Sequence, residues 1–300
     1  WRPQVFDDVY GQEHITSILK YETENNRFSH AYLFCGSRGT GKTTCAKILA
    51  KAVNCPYEKD GEPCGECEIC RGIDEGSLLD ITEMDAASNR NIDDIRDLRS
   101  EANFTPAVAK YRVYIIDEAH MLTKEAANAL LKIMEEPPEH VIFILATTEV
   151  HKIPATLLSR CMRFDFKLIP QADLEDRLRY VFDGIGKKYD NEAIAAIARA
   201  GAGSVRDMLS VADTCVSYTT GKLTYADVTA VLGGADFEDL KAVVQRAVDN
   251  YDYEEGNKED LAAFVKKMLK NALRLQFLFS ESRTILILWQ FHLHSQERFT

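Results

Sequence analysis

The chain has 300 residues, of which 46% are hydrophobic, and its formal net charge is −11 at pH 7. This length predicts two or three domains, and the hydrophobic fraction is ordinary for a soluble globular protein. The negative charge argues against a surface that binds nucleic acid without specificity, so any DNA contact is expected to be local and set by shape.

Nothing in the sequence indicates a membrane protein. The longest apolar run near the end, residues 284–291, is far shorter than the roughly 20 residues that a spanning helix needs. No signal peptide is recognised at the start. A cytoplasmic protein with no membrane partner is therefore expected.

The first eleven residues are predicted to form an irregular arm, because Pro3 keeps Arg2 extended and Gly11 interrupts the chain. An amphipathic helix is expected to follow over about residues 12–25. The arm precedes a glycine-rich loop and is therefore a candidate cover for a purine base. An arm that packs on the core without touching a ligand is the alternative.

The glycine-rich loop spans residues 36–43 and has the pattern Gly-x4-Gly-Lys-Thr between an apolar strand and a helix that begins at Lys42. In this context the pattern predicts a phosphate-binding loop, in which backbone N–H groups and the helix N-terminus surround a phosphate. Lys42 would reach the β- and γ-phosphates, and the Thr43 hydroxyl would bind Mg²⁺. A strand-to-helix turn without a ligand is the alternative.

Eight cysteines fall into two groups. Four stand alone in apolar or helical settings and are predicted to be small buried side chains: Cys35, Cys45, Cys161 and Cys215. The others are separated by short gaps among glycines and prolines: Cys55, Cys64, Cys67 and Cys70. Without an export signal, this spacing predicts a tetrahedral structural zinc site. Reduced free thiols are the main alternative, and an iron–sulfur cluster also fits these ligands.

A second strand is predicted over residues 78–85, followed by a polar turn and a helix over residues 92–102. Arginines alternate with aspartates in this region, at Arg90, Arg96 and Arg99. Mixed charges of this kind are typical of a solvated helix face, and contact with a phosphate is the alternative.

A buried strand over residues 112–116 ends in Asp117, Glu118, Ala119 and His120. Two acids at the carboxyl end of a strand, downstream of a phosphate loop, are what a Mg²⁺–nucleotide site requires. Asp117 would hold the metal through water, and Glu118 would polarise the attacking water. A surface turn is the alternative for the acids, and His120 is expected to pack or to form hydrogen bonds.

A helix over residues 123–135 precedes another buried strand, residues 141–146, that ends at Thr147 and Thr148. A polar group there could touch the γ-phosphate or the lytic water; a plain strand terminus is the alternative. A short strand is expected over residues 162–166, after Arg160. Parallel strands interleaved with helices predict an α/β core whose ligand lies at the carboxyl ends of the strands.

Beyond Pro170 the pattern becomes helical, with helices predicted over residues 173–185, 192–200, 204–218 and 225–232. Arg206 lies at the start of one of them, where a surface salt bridge to Asp207 or Asp213 and a functional role are both open. Two further helices are expected over residues 236–250 and 260–279. The apolar stretch 275–291 would need a partner or a helix bundle.

Together these motifs resemble the bacterial DNA polymerase III gamma/tau family, the motor subunits of sliding-clamp loaders. The resemblance rests on the phosphate loop, on residues 117–120, on the cysteine insert directly after the first phosphate-loop helix, and on three further segments: residues 130–138, 159–161 and 203–207. It covers about residues 1–235, and the tail from Leu275 departs from it.

The resemblance implies an α/β fold: a three-layer AAA+ P-loop NTPase core with a parallel sheet, then a small helical lid domain and a partial, all-helical collar domain. The implied boundaries are residues 1–168 for the core with its zinc insert at 55–70, residues 169–232 for the lid, and residues 233–300 for the collar.

The resemblance also implies roles for single residues. The catalytic set comprises Lys42, Asp117, Glu118, the γ-phosphate sensor Thr148, the lid arginine Arg206, and Arg160 as a finger offered to ATP on a neighbouring subunit. Nucleotide binding is assigned to Arg2, Pro3, Val9, Tyr10, Gly36, Gly39, Thr40, Gly41, Lys42, Thr43, Thr44 and Arg206. Thr43 and Asp117 would hold magnesium, and Cys55, Cys64, Cys67 and Cys70 would hold zinc.

The implied activity is ATP hydrolysis that loads a sliding clamp onto primer–template DNA, with no polymerase active site in this chain. The implied cofactors are ATP, Mg²⁺ and structural Zn²⁺. The implied partners are delta, delta-prime and further gamma/tau subunits, the clamp and DNA. A DExH helicase, suggested by Asp117 to His120, and a non-catalytic module that only holds a ring together are the alternatives.

Overall fold

The computed structural model describes residues 1–88 and 92–233. A five-stranded sheet forms the centre of the first part of the chain, and all of its neighbouring strands are parallel. The strands are β1 (Ala31–Gly36), β2 (Ile81–Asp85), β3 (Arg112–Asp117), β4 (Val141–Thr147) and β5 (Met162–Phe166). Their order across the sheet is β2-β3-β4-β1-β5.

The central strands are continuously apolar because both faces of the sheet are covered. Tyr32 and Phe34 of β1 point into one hydrophobic cluster, and Leu33 and Cys35 point into the other. This alternation is the two-residue period of a strand buried on both sides. The predicted three-layer core is confirmed.

Helices of the first part cover the sheet on its two faces. They are α1 (Glu13–Glu24), α2 (Lys42–Asn54), α4 (Ile92–Ala102), α5 (Lys124–Glu135) and α6 (Ala155–Leu158), whereas α3 (Glu68–Glu75) packs on α2. Leu19 of α1 and Leu49 of α2 belong to the same cluster as Tyr32, whereas Ile95 of α4 and Leu130 of α5 belong to the cluster around Leu33.

The remaining described helices are α7 (Gln171–Gly184), α8 (Asn191–Ala200), α9 (Val205–Tyr218) and α10 (Tyr225–Leu232). Contacts divide the described residues into one unit of residues 1–177 and 203–206, and a second unit of residues 178–202 and 207–233. Within the second unit, α8 packs against α10. A capping box between Thr224 and Asp227 begins α10.

Several element boundaries differ from the sequence prediction. β2 begins at Ile81 rather than at residue 78, because the Ile81 N–H closes a turn onto the Leu78 carbonyl and Leu79 is 88% exposed. Helix α3 was not predicted, since its cysteine and glycine suggested only turns. Cys161, predicted to be buried, is partly exposed at the edge of a hydrophobic cluster.

Some predictions lie outside the described residues: Arg90, the helices over residues 236–250 and 260–279, the collar domain beyond residue 233, and the apolar tail. The domain boundaries at residues 168 and 232 stay predictions. No helix in the described part of the chain is long and apolar enough to cross a membrane.

Candidate nucleotide-binding site

The phosphate loop joins β1 to α2 at the carboxyl edge of the sheet. Gly36, Gly39 and Gly41 all have positive φ angles, 148°, 74° and 104°. A Cβ at Gly36 would lie 2.4 Å from the Phe166 carbonyl oxygen. Only glycine fits such close approaches without strain, so the loop's glycines are required by its shape.

The Lys42 side chain is folded back into the loop. Its Nζ donates to the carbonyl oxygens of Gly36 at 2.8 Å and Ser37 at 2.7 Å. Burial lowers the pKa of Lys42, while the nearby Glu118 and Asp117 carboxylates oppose that effect. The ammonium group is therefore a largely buried cation in the field of two acids, ready for an anionic ligand.

Two further threonines lie in the loop or directly after it. Thr40 is buried and its hydroxyl donates to the Ser37 carbonyl at 2.8 Å, which closes the loop on itself. Thr44 lies in the first turn of α2 and is partly buried. Thr40 thus stabilises the loop through its side chain.

Thr43 and Asp117 meet at the start of α2 and the end of β3. The Thr43 hydroxyl donates to Asp117 Oδ2 at 2.7 Å. A hydroxyl and a carboxylate at this distance are hard oxygen donors of the kind that Mg²⁺ binds. The residues present therefore fit the predicted magnesium site.

Glu118 has an unusual backbone conformation, with φ 47° and ψ 43°. A non-glycine residue in this left-handed region costs on the order of 1–2 kcal/mol. The Thr148 hydroxyl donates to Glu118 Oε2 at 3.0 Å, because β3 and β4 are neighbours and end side by side. The two residues predicted from separate strands are therefore brought together.

His120 completes this group of side chains. Its Nδ1 lies 3.1 Å from the Thr147 hydroxyl and 3.4 Å from Glu118 Oε2, and its Nε2 lies 3.2 Å from Glu149 Oε1. The hydrogen-bonding role expected for His120 is what the structure shows. It orders the turn that presents Glu118.

The arm contains a short 3-10 helix, Phe6–Asp8, which the sequence did not predict. Val9 is buried, and its Cγ1 lies 3.9 Å from where a Cβ on Gly41 would be. The Arg177 guanidinium lies 5.3 Å from the centre of the Tyr10 ring. The last part of the arm therefore lies beside the phosphate loop.

The start of the arm is less closely attached to this site. Arg2 is exposed and Pro3 is partly buried. Within the described residues, no hydrogen bond or ion pair joins the Arg2 side chain to the phosphate loop. The structure thus places Val9 beside the phosphate loop and Tyr10 beside Arg177, and it leaves Arg2 at the surface.

Sequence reasoning missed Gln12, whose side chain is fully buried. Its amide donates to the carbonyls of Thr40 at 3.3 Å and Lys167 at 2.8 Å, and its Oε1 accepts from the Lys167 N–H. It ties the phosphate loop to the start of α1 and the end of β5. The only signal was a polar residue following Gly11.

Arg206 lies beside the phosphate loop. Its Cβ would be 3.1 Å from a Cβ built on Gly39, and the Val205 N–H donates to the Gly39 carbonyl at 3.1 Å. Ser204, which was also missed, would clash with the same Cβ. The start of α9 is therefore in contact with the loop, as a role for Arg206 in nucleotide binding requires.

The Arg160 side chain makes its contacts away from the phosphate loop. Its guanidinium donates to the Thr156 carbonyl at 2.9 Å and to Glu135 at 2.8 Å, and about a third of the side chain is exposed. Among the described residues, none of its hydrogen bonds or ion pairs reaches the phosphate loop, Asp117 or Glu118. The structure does not bring Arg160 into this chain's own site.

The four clustered cysteines meet in space, and their sulfur atoms all lie within 4.8 Å of one another. A tetrahedral zinc–thiolate site has sulfurs about 3.8 Å apart, given Zn–S bonds of about 2.3 Å. Backbone N–H groups of Cys64, Cys67 and Cys70 point at the sulfurs of Cys55, Cys64 and Cys67. Such donors stabilise thiolates, so the cluster fits zinc.

The pKa of the Cys64 thiol reflects the backbone N–H groups that point at its sulfur. Burial alone would raise the pKa of its thiol, but N–H groups of Glu66 and Cys67 and neighbouring thiols lower the pKa to about 7. Burial raises the pKa of Cys55 and, more strongly, that of Cys70. Metal ligation would deprotonate all of them together.

Comparison with known families agrees with this geometry. Residues 11–170 match the family model described as DNA polymerase III, delta subunit, and residues 173–221 match the clamp loader subunit ATPase lid domain. The chain belongs to the DNA polymerase III clamp-loader family. The resemblance to gamma/tau subunits is confirmed by curated relatives of that name.

Two relatives illustrate the extent of the match. The chain is 51% identical to DNA polymerase III subunit tau of Bacillus subtilis over 233 residues, which are 78% of this chain and 41% of the relative. It is 39% identical to the Escherichia coli tau subunit over 281 residues, 94% of this chain and 43% of the relative. This clamp-loader chain spans about two fifths of the length of these relatives.

Solved structures show the fold independently. The RuvB Holliday junction branch migration motor of Thermotoga maritima superposes with a TM-score of 0.60 at 19% identity, over 80% of this chain and 77% of that one. This likeness confirms the AAA+ α/β fold of the clamp-loader chain.

Proposed function

We propose that this chain is the ATP-binding and ATP-hydrolysing motor subunit of a sliding-clamp loader. The observation that carries the proposal is the meeting of Lys42, Thr43, Asp117, Glu118 and Thr148 at the carboxyl ends of three neighbouring strands. The clamp-loader family match favours this function over the DExH helicase alternative.

The phosphate loop would bind the triphosphate. Backbone N–H groups of residues 36–43 surround the phosphates, and Lys42 exchanges its two loop carbonyls for phosphate oxygens. Arg206 lies close enough to Gly39 to approach the same phosphates from the start of α9. Val9 and Tyr10 would border the base, with Arg2 and Pro3 farther along the arm.

Thr43 and Asp117 would hold magnesium, which when bound neutralises developing charge on the β- and γ-phosphates. Glu118 would accept hydrogen bonds from the attacking water and take its proton. Thr148 donates a hydrogen bond to the same carboxylate. It would therefore orient that carboxylate differently when a γ-phosphate is present and when it is absent. This pair would link the state of the nucleotide to the carboxylate that acts as the general base.

Arg160 would act on a neighbouring subunit. It is partly exposed and lies outside this chain's own site, held by Glu135 at the end of α5. An arginine supplied in trans stabilises charge at the transition state and makes hydrolysis depend on assembly. The partners proposed are delta, delta-prime and further gamma/tau subunits, with the clamp and primer–template DNA as the substrates of loading.

The loading cycle would be a shift between states. ATP bound between subunits would favour the arrangement that holds an open clamp. Primer–template DNA, recognised by its backbone and shape, would complete the geometry for hydrolysis. Loss of the γ-phosphate would then release the clamp and the DNA. Cys55, Cys64, Cys67 and Cys70 would hold a zinc ion that stabilises the insert and takes no part in chemistry.

The test compares the chain alone with the reconstituted loader. Equilibrium titration with ATP should show tight binding by the chain alone, while its turnover stays low and rises only when partner subunits, clamp and primer–template DNA are added. High turnover by the isolated chain, unchanged by those additions, would contradict the proposal. Strand separation by the isolated chain would favour a helicase instead, and binding without any turnover in the loader would favour a non-catalytic module.

A further inference from the structure

The cysteine insert, extended to the end of α3 so that it spans residues 55–75, holds the N-terminal arm in two places. At the first, the Glu62 carboxylate accepts the backbone N–H groups of Phe6 at 2.7 Å and Asp7 at 3.0 Å. Lys20 Nζ of α1 lies 3.1 Å from the same carboxylate. One side chain of the insert thus fixes the 3-10 turn of the arm to α1.

At the second place, the insert acts through a buried cation. Lys51 on α2 has a side chain only 1% exposed, and its Nζ lies 3.0 Å from Asp74 Oδ1 of α3. The same Nζ donates to the Gln4 side-chain oxygen. A buried ammonium group needs such partners, so Asp74 and Gln4 are held together through Lys51.

The insert also packs directly on the backbone of α1. Gly61 has φ +78°, and a Cβ there would lie 2.4 Å from the Lys20 carbonyl oxygen. This approach places Glu62 within reach of the arm. The insert is therefore attached to both the arm and the helix that follows it.

The arm in turn ends beside the phosphate loop. Val9 lies against Gly41, and Gln12, the residue before α1, donates to the Thr40 carbonyl. The chain of contacts thus runs from the four cysteines through Glu62 and Asp74 to the arm, and from the arm to the loop.

We propose that the cysteine insert positions the arm against the phosphate loop, and that Glu62 and Asp74 are positioning residues for nucleotide binding. This inference rests on the proposed ATP-binding function of the same loop. It gives the insert a purpose that metal binding alone does not: release of the metal would free the arm and weaken nucleotide binding.

The experiment uses the full chain with Glu62→Ala and Asp74→Asn, and Glu83→Gln as the matched control. Glu83 forms an ion pair with Lys47, one turn before Lys51 on the same helix, but it holds no arm residue. Two quantities are measured: amide hydrogen exchange at Phe6 and Asp7, and the Kd for ATP.

Glu62→Ala should speed exchange at both amides and raise the Kd for ATP about tenfold, the size of one lost charge-assisted hydrogen bond. Asp74→Asn should raise the Kd by a smaller factor, and the control should change neither quantity. In the assembled loader the KM for ATP should rise while kcat at saturation stays the same. A purely structural role would instead lower the melting temperature and leave the KM for ATP unchanged relative to kcat.

Removal of metal with a chelator should reproduce the faster exchange at Phe6 and Asp7 in the wild-type chain. If Glu62→Ala binds ATP as tightly as the wild type, or if its arm amides stay protected, the inference is wrong while the proposed function stands. If the wild-type chain itself does not bind ATP, the proposed function fails, and the arm cannot position a nucleotide.

Discussion

The two ends of the central sheet carry acids in opposite situations. At the amino end of β2, the buried Asp80 accepts backbone N–H groups of Ala107, Val108 and Ala109 at 2.8–2.9 Å and pairs with Arg112 at 3.2 Å. Its capacity to accept hydrogen bonds is largely used by the protein itself. Such a carboxylate stabilises a fold and has little left for a ligand.

At the carboxyl end of the sheet, the acids keep capacity for a ligand. Asp117 accepts from the Thr43 hydroxyl and the Glu118 N–H, and Glu118 sits in a strained backbone conformation beside a buried lysine. Strain and incompletely satisfied charge cost stability and are typical of functional sites. The donors around an acid, more than its burial, thus distinguish a carboxylate that stabilises the fold from one that keeps capacity for a ligand.

The largest effect is expected beyond either end of the sheet, at Arg160. In the assembled loader, Arg160→Ala should reduce DNA-stimulated ATP turnover by about 10³-fold, because an arginine supplied in trans stabilises the transition state. ATP binding by the isolated chain should not change. Arg163→Ala is the control, since Arg163 lies three residues after Arg160 and pairs with Asp165 of the same strand. Normal turnover by the Arg160 variant would remove the proposed trans role.

Glu118→Gln tests the carboxyl end of the sheet directly. The amide keeps the shape of the side chain but cannot take a proton, so turnover in the loader should fall about 10²- to 10³-fold. Affinity for ATP and the urea midpoint of unfolding should stay close to the wild type. A loss of stability with full turnover would place Glu118 in the same structural class as Asp80.

Asp80→Asn tests the amino end of the sheet, where we expect a loss of stability and no change in ATP binding. It removes the charge that Arg112 and three N–H groups require, so the free energy of unfolding should fall by about 3 kcal/mol. The Kd for ATP should not change. The exposed pair of Asp93 and Arg96 supplies the control, because Asp93→Asn should alter stability by less than about 1 kcal/mol. Equal losses of stability in Asp80→Asn and Asp93→Asn would contradict the structural role given to Asp80.

The pH dependence of stability follows from the same carboxylate. Burial tends to raise the pKa of Asp80, but the three N–H groups and Arg112 outweigh it and hold the pKa below its usual 3.8. A depressed folded-state pKa contributes stability that is present above the unfolded value and is lost as pH falls through the folded one. Urea midpoints measured between pH 5 and pH 2 should therefore fall less steeply in Asp80→Asn than in the wild type.

Local signals predicted the elements that build the site. The phosphate loop, the acids after β3 and the cysteine spacing are contiguous in sequence, and their chemistry could be interpreted from residue types alone. The ends of α4, β5 and α10 coincide with the predicted ranges, because capping residues and apolar periodicity define them locally.

Contacts between distant segments could not be predicted in this way. Gln12 joins three segments, and Glu62 holds an arm that lies more than fifty residues earlier. Asp80 precedes its N–H donors by 27 to 29 residues. These side chains look like ordinary surface polar residues in the sequence, and only the tertiary fold gives them their partners.

We propose that the glycine-rich loop binds ATP through Lys42, and equilibrium binding measures this interaction most directly. Lys42→Ala removes the cation that the loop carbonyls and both carboxylates surround. We expect the full chain to bind ATP in the presence of Mg²⁺ and the variant to show no measurable binding, with the fold unchanged by circular dichroism. Wild-type affinity in the folded Lys42→Ala variant would show that the loop does not bind ATP through Lys42.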